Sequence, residues 1–299
     1  MLSSSGTLIS PARPIPRGLD DARVLGKMLR SRLADRPLFL SHLVTARCNG
    51  HCAQCLWRFG GPEDKQAADA ELTTEEISWL YRRAAEAGMC HLVLWGGEPL
   101  LRRDIAEICG AASSAGLAVT LMTNGWLLPD LWPRLRGLVS TLMLSLDDVG
   151  SEFDRTRGLP GLFDRLDAFA CSLRGDPLRP RLLVNLVLSN LNRGALRRVA
   201  PVARRWDAGL YFCPMDIGEM QAEGFVARHG DLELGEEELR EAALLARLLK
   251  VYGYPLQATN KYLRLLERDP RLDEWSCRFP RIALTVLPDG ASLRVSTER

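Results

Sequence analysis

The chain has 299 residues, 46% hydrophobic and 25% charged, a balance that supplies an apolar core and excludes disorder over most of the length. Lys and Arg number 39 against 37 Asp and Glu, leaving a net charge of +2, so no global field draws a polyanion and nucleic acid is not an expected partner. No apolar run reaches the ~20 residues that span a bilayer, and the start lacks the unbroken apolar stretch of a signal peptide, so we expect a cytoplasmic protein with no membrane association.

In chain order, Met1 to Gly18, with its serines and prolines, reads as a poorly ordered arm, and Asp20 to Arg36 as a helix through Val24, Met28, Leu29 and Leu33. A strand-then-helix rhythm follows. Leu38 to Thr45 is a predicted strand, and Thr74 to Ala87 a helix opened by a Thr73/Glu76 capping box. His91 to Trp95 is a strand, Arg103 to Ala115 a helix, Val119 to Met122 a strand and Asp130 to Gly137 a short helix. Thr141 to Leu146, Leu182 to Leu188 and Leu210 to Met215 are further strands, separated by helices at Leu162 to Leu173 and Arg193 to Trp206. Such alternation means parallel strands joined by right-handed crossovers, in a doubly wound sheet or a whole or partial barrel. In either architecture ligands sit at the carboxyl ends of the strands. After Met215 the rhythm breaks into a polar loop to Leu234, helices at Glu236 to Val251 and Asn260 to Glu267, and a hairpin. The hairpin runs Ile282 to Leu287 and Leu293 to Val295 around Pro288-Asp289-Gly290.

Cys48, Cys52 and Cys55 crowd into the loop after the first strand with the spacing C-x3-C-x2-C. In a reducing compartment such a cluster favours metal over disulfides, and soft thiolates suit zinc, copper(I) or iron–sulfur clusters. Zinc would have to recruit His51 or a remote cysteine, because no second C-x2-C pair exists. A four-iron cluster on three cysteines would leave one iron for a non-protein ligand.

These cysteines, together with Gly96-Gly97-Glu98-Pro99 ending the second strand, resemble the radical S-adenosylmethionine (radical SAM) superfamily. Thr123-Asn124-Gly125, Ser145-Leu146-Asp147 and the segment Asp154 to Gly161 are similar to it as well, and the likeness spans roughly Leu38 to Met215. The resemblance implies an α/β fold, a partial (β/α)6 barrel, with Cys48, Cys52 and Cys55 holding one [4Fe-4S] cluster whose fourth iron is chelated by SAM. Reductive cleavage would yield a 5′-deoxyadenosyl radical that abstracts hydrogen from substrate, with electrons from an external low-potential donor such as flavodoxin or ferredoxin. Gly96, Gly97, Glu98 and Pro99 would contact the methionine end of SAM, with Glu98 as partner of its ammonium. Asn124, Ser145 and Asp147 would hold ribose or methionine polar groups, Asn185 would face inward, and Arg157 would clamp a carboxylate. One position departs from the family pattern: Gln54 stands where an aromatic residue often precedes the third cysteine, with Trp57 the nearest aromatic.

The remaining features read as structural. Cys90, Cys109 and Cys171 lie in apolar patterns, and His42, His91 and His229 show no metal-ligand spacing. Cys213 and Tyr211, near the end of the sixth strand, are the catalytic candidates, although core packing is the first expectation for Cys213. Trp275-Ser276-Cys277 resembles the start of the C-terminal extension of SPASM and twitch relatives, but no cysteine follows Cys277, so a cap without a second cluster is expected. The expected organisation is an arm and helix over 1–37, a barrel over 38–216 and a small α+β cap over 217–299. The expected substrate is a small molecule, since the residues before the first strand are too few for a leader-binding winged helix. The alternatives are a peptide maturase and a non-catalytic iron–sulfur or zinc protein.

Overall fold

A computed structural model describes residues 37–55, 71–215, 231–272 and 282–293. The expectations for the arm, the Asp20 to Arg36 helix, Trp57, His229, Cys277 and most of the loop after Met215 lie outside the described residues. Among the described residues eight strands form one sheet: β1 (Phe39–Leu43), β2 (His91–Trp95), β3 (Ala118–Thr123), β4 (Thr141–Ser145), β5 (Arg181–Leu188), β6 (Gly209–Pro214), β7 (Ala283–Val286) and β8 (Ser292–Leu293). Their order is β6-β5-β4-β3-β2-β1-β7-β8, with β1 to β7 mutually parallel and β8 antiparallel to β7. The sheet is open, with β6 and β8 at its edges, so the barrel is partial.

The crossovers carry α1 (Thr74–Glu86), α2 (Ile105–Ser114), α3 (Leu128–Leu135), α4 (Gly150–Arg157), α5 (Leu162–Ser172) and α6 (Ala195–Arg205). Two more helices, α7 (Glu236–Val251) and α8 (Asn260–Arg268), follow β6. α1 begins with the predicted capping box: Glu76 N donates to Thr73 Oγ1 and Thr73 N to Glu76 Oε2. α4 was not foreseen as a helix. Its sequence, GSEFDRTR, buries only Phe153 and Thr156, so no apolar period announces it.

Strand residues alternate between two faces. Leu92, Leu94, Leu142 and Leu144 are wholly buried against helix residues such as Ile77 and Ile108, each removal from water worth roughly 1.5–3 kcal/mol. His42 marks the helix side of β1, its Nδ1 lying 2.9 Å from Tyr81 Oη of α1. The alternate residues, among them Trp95, Met143, Ser145 and Asn185, line the opposite face and are half-buried.

The C-terminal hairpin joins this sheet. β7 pairs with β1 from Phe39↔Ala283 to His42↔Val286, and the turn after it reaches the carboxyl end of the strands, where Leu72 N donates to Pro288 O at 2.7 Å. None of the described helices is long and apolar enough to cross a membrane.

Candidate active site

The cysteine loop leaves the carboxyl end of β1 and is strapped to α4. His51 N donates to Arg157 O (2.9 Å) and Ala53 N to Thr156 O (3.0 Å), so the loop satisfies carbonyls that the helix end leaves orphaned. The approach depends on Gly158, which caps α4 at φ 65°; a Cβ there would stand 2.8 Å from His51 Cβ. Gln54, the departure from the family pattern, is buried and its Oε1 accepts from Ser189 Oγ at 2.9 Å, tying the loop to the end of β5. A second brace holds the front of the loop: Arg47 Nη2 meets Glu71 Oε2 at 3.0 Å, and the buried Arg102 reaches Glu71, Asp104 and the carbonyls of Val44 and Leu72. Neither brace was legible beforehand, since its partners lie far apart in sequence.

Within the loop, Gly50 N donates to Cys48 Sγ at 3.4 Å and Arg157 Nη1 to Cys52 Sγ at 3.6 Å. A Cβ on Gly50 would lie 3.6 Å from Cys52 Sγ and 3.7 Å from Cys48 Sγ, so both sulfurs flank the bare Cα. Burial pushes the Cys48 thiol up to about 11 and raises Cys52 as well, with Arg157 pulling Cys52 back down. These cysteines therefore carry protons at neutral pH until a metal replaces them. Among the described residues no three Cys, His, Asp or Glu side chains close on a single-ion site. A soft, all-sulfur donor set with a cation beside it fits an iron–sulfur group.

Gly96 and Gly97 permit a close approach of backbone to backbone. A Cβ on Gly96 would meet Thr45 O at 2.4 Å, and one on Gly97 would meet Arg47 O at 2.2 Å. Gly97 N and Glu98 N donate to those same carbonyls, at 2.8 and 2.7 Å. The end of β2 is thus laid directly on the backbone that leads into Cys48, and only glycine permits it. Glu98, wholly buried, accepts from Thr123 Oγ1 (2.7 Å), Leu100 N (3.1 Å) and Asn124 N (2.8 Å), joining the ends of β2 and β3. Burial raises its pKa against these donors. Pro99 starts the short 3-10 turn that follows. Asn124 Nδ2 donates to Asn49 Oδ1 at 2.8 Å, bringing β3 to the cysteine loop through a partner the sequence reading had not singled out.

Asp147 and Arg157 form a buried pair, Nη2 to Oδ2 at 2.5 Å, and Val187 N donates to Asp147 Oδ1 at 3.0 Å. Burial opposes the Arg157 charge, but Asp147 and Cys52 outweigh it and leave the guanidinium firmly protonated. Arg157, its side chain 13% exposed, therefore grips a carboxylate of the protein itself. Ser145 and Asn185 are register partners on β4 and β5, half-buried on the face away from the helices. Tyr211 and Cys213 continue that face onto edge strand β6, and Cys213 is exposed, correcting the packing expectation. At its start β6 also bridges the segment after α7, Leu210 N donating to Pro255 O at 2.8 Å and Gln257 N to Leu210 O at 2.9 Å, while Tyr211 and Cys213 beyond it are exposed. Cys90 and Cys109 are buried and Cys171 half-buried, as packing residues.

The sequence profile of the radical SAM superfamily matches residues 43–170. The chain is 38% identical over 136 residues to an AdoMet-dependent heme synthase of Methanosarcina barkeri (strain Fusaro / DSM 804), covering 44% of this chain and 38% of that protein. It is 29% identical over 292 residues to a PqqA peptide cyclase of Rhizobium meliloti (strain 1021), covering 93% of this chain and 71% of that one. The fold is similar to Streptococcus suis SuiB bound to S-adenosylmethionine, with a TM-score of 0.64, 16% identity, and coverage of 93% of this chain and 64% of SuiB. The profile match begins at the last residue of β1 and takes in the three thiols, the Gly96–Pro99 turn and the Asp147–Arg157 pair, so residues 43–170 are similar to a radical SAM domain.

Proposed function

We propose that this chain is a radical SAM enzyme that binds one [4Fe-4S] cluster through Cys48, Cys52 and Cys55 and abstracts hydrogen from its substrate. The observation that carries this reading is the placement of the three thiols at the carboxyl end of β1, on the same rim as Glu98, Asn124 and Asp147. When bound, the cluster and SAM supply the one-electron cleavage of a sulfonium and the carbon radical that follows. The polypeptide does the holding. Cys48, Cys52 and Cys55 would hold three irons and leave the fourth to SAM, and Glu98 would offer its buried carboxylate to the ammonium. Ser145 and Asn185 offer hydrogen bonds above β4 and β5. Electrons come from an external low-potential donor of the flavodoxin or ferredoxin kind.

The barrel over 38–216 would house this chemistry, and the β7–β8 hairpin, within the cap over 217–299, would border its opening. The side of the sheet away from the helices presents a hydroxyl, an amide and aromatic or thioether groups: Ser145, Asn185, Trp95, Met143 and Tyr211. Such a surface suits a substrate with few charges, consistent with a small polar molecule. A second reading, peptide modification, is favoured by one observation: the likeness to a PqqA peptide cyclase extends over 93% of this chain.

Anaerobic reconstitution tests the reading. It predicts about four irons per chain and formation of 5′-deoxyadenosine on adding dithionite and SAM. One tightly held zinc per chain, with no colour and no 5′-deoxyadenosine, refutes it. Deuterium carried from a labelled peptide or small molecule into 5′-deoxyadenosine then separates the two substrate classes.

A further inference from the structure

We propose that Arg157 is a positioning residue that sets the reduction potential of the cluster, by donating a charged hydrogen bond to Cys52 Sγ while Asp147 fixes the guanidinium from behind. This inference rests on the iron–sulfur reading above. Its basis is geometric. The Arg157 side chain is 13% exposed, and Nη1 reaches Cys52 Sγ at 3.6 Å while Nη2 meets Asp147 Oδ2 at 2.5 Å. Asp147 has no freedom to follow another partner, because its Oδ1 accepts from Val187 N and its backbone oxygen accepts from Asn192 Nδ2. The Phe153 ring lies 5.8 Å from the guanidinium carbon and adds a third support. The Arg157 backbone oxygen also receives His51 N, so one residue fixes both the loop and a thiol within it.

The pair carries no net charge, yet it is oriented. Its positive end faces sulfur and its negative end faces the end of β5. A cation and an N–H aimed at a ligand sulfur stabilise the more negative, reduced cluster and so raise its potential. Removing them makes the cluster harder to reduce.

The experiment is a redox titration of reconstituted protein in the absence of SAM, followed by electron paramagnetic resonance, with iron content measured on each sample. In R157Q the ratio of reduced to oxidised cluster at a fixed potential should fall at least tenfold, a shift of about 59 mV for one electron. R157K, which keeps a cation but loses the planar fork, should fall less. R155Q removes the same charge from the same helix, where Arg155 is 70% exposed, and should match the unaltered protein. Where R157Q takes up less iron, R157K is the sample that decides. A ratio within twofold of the unaltered protein in the iron-loaded Arg157 variants overturns the proposal. So does an equal fall in R155Q, or a fall seen only after SAM is added, which would make Arg157 a ligand to SAM alone. An unaltered chain that binds no cluster overturns the functional reading itself, and iron content separates that failure from the others.

Discussion

Replacing Gly97 by alanine tests whether the glycine pair exists for backbone packing. The new Cβ would sit 2.2 Å from Arg47 O and 2.6 Å from Ala46 O, where ordinary contact begins near 3.4 Å. The obstacle is backbone, which no rotamer can move aside. The end of β2 and the strand leading into Cys48 must therefore separate by about 1 Å. That separation carries the Gly97 N to Thr45 O and Glu98 N to Arg47 O hydrogen bonds, now 2.8 and 2.7 Å, beyond useful range. Two lost hydrogen bonds at ~0.5–1.5 kcal/mol each, with overpacking of ~1–3 kcal/mol, give about 2–6 kcal/mol. For a domain of this size the melting temperature should fall by roughly 5–12 °C. Thermal unfolding followed by circular dichroism reads the shift, and iron uptake should fall with it because Arg47 adjoins Cys48. Gly110→Ala is the matched comparison: this glycine lies inside α2, and a Cβ there meets nothing within 4 Å. It should gain about 0.5–1 kcal/mol. A G97A protein that melts with the unaltered chain and binds as much iron would refute the packing argument.

Alanine at Cys48, Cys52 or Cys55 should lower bound iron well below about four per chain and bleach the protein, measured by iron assay and visible absorbance. C109A, which removes a thiol buried in α2, should leave iron unchanged while costing about 1 kcal/mol. E98Q turns an amide N–H₂ toward a backbone donor, either Asn124 N or Leu100 N, and should cost about 1–3 kcal/mol in urea unfolding; an unchanged midpoint would count against the clamp. His42 is held neutral by burial and then by Arg102, its pKa lowered from 6.5 to about 3. The unfolded chain therefore takes up the proton first, so this part of the stability is complete above pH ~6.5 and is lost as pH falls toward 3. At about pH 5 the loss is roughly 2 kcal/mol, and H42N should remove that share of the pH dependence; identical slopes for the two proteins would show that His42 does not titrate this way.

Much of the architecture was written in short-range pattern. Strands such as LLVNLVL and the Thr73/Glu76 box each carry their own signal, so β1 to β6 and most helices between them fall within a few residues of where periodicity put them. The site was legible where a residue type and a strand end coincide, as at Cys48 and Glu98. It was illegible where function depends on long-range contact. Nothing local marks Asn49 as the partner of Asn124, Ser189 as the partner of Gln54, or Glu71 as the acid between Arg47 and Arg102. α4 escaped notice because it buries so little, yet its end carries the cysteine loop. The glycines of the Gly96–Pro99 turn signalled close approach correctly but not what approaches, since a bare Cα permits backbone and ligand alike. The hairpin was visible as a hairpin, while its pairing with β1 depends on which edge the sheet leaves open.

That pairing also orders events in time. A ribosome delivers Phe39 early and its neighbour Ala283 near the end of the described chain, so throughout synthesis β1 has an uncovered flank beside the loop that binds iron. Closing so long a contact adds entropy cost and slows folding. The emerging chain offers three thiols early, but the ledge beside them is finished only when the late strand docks.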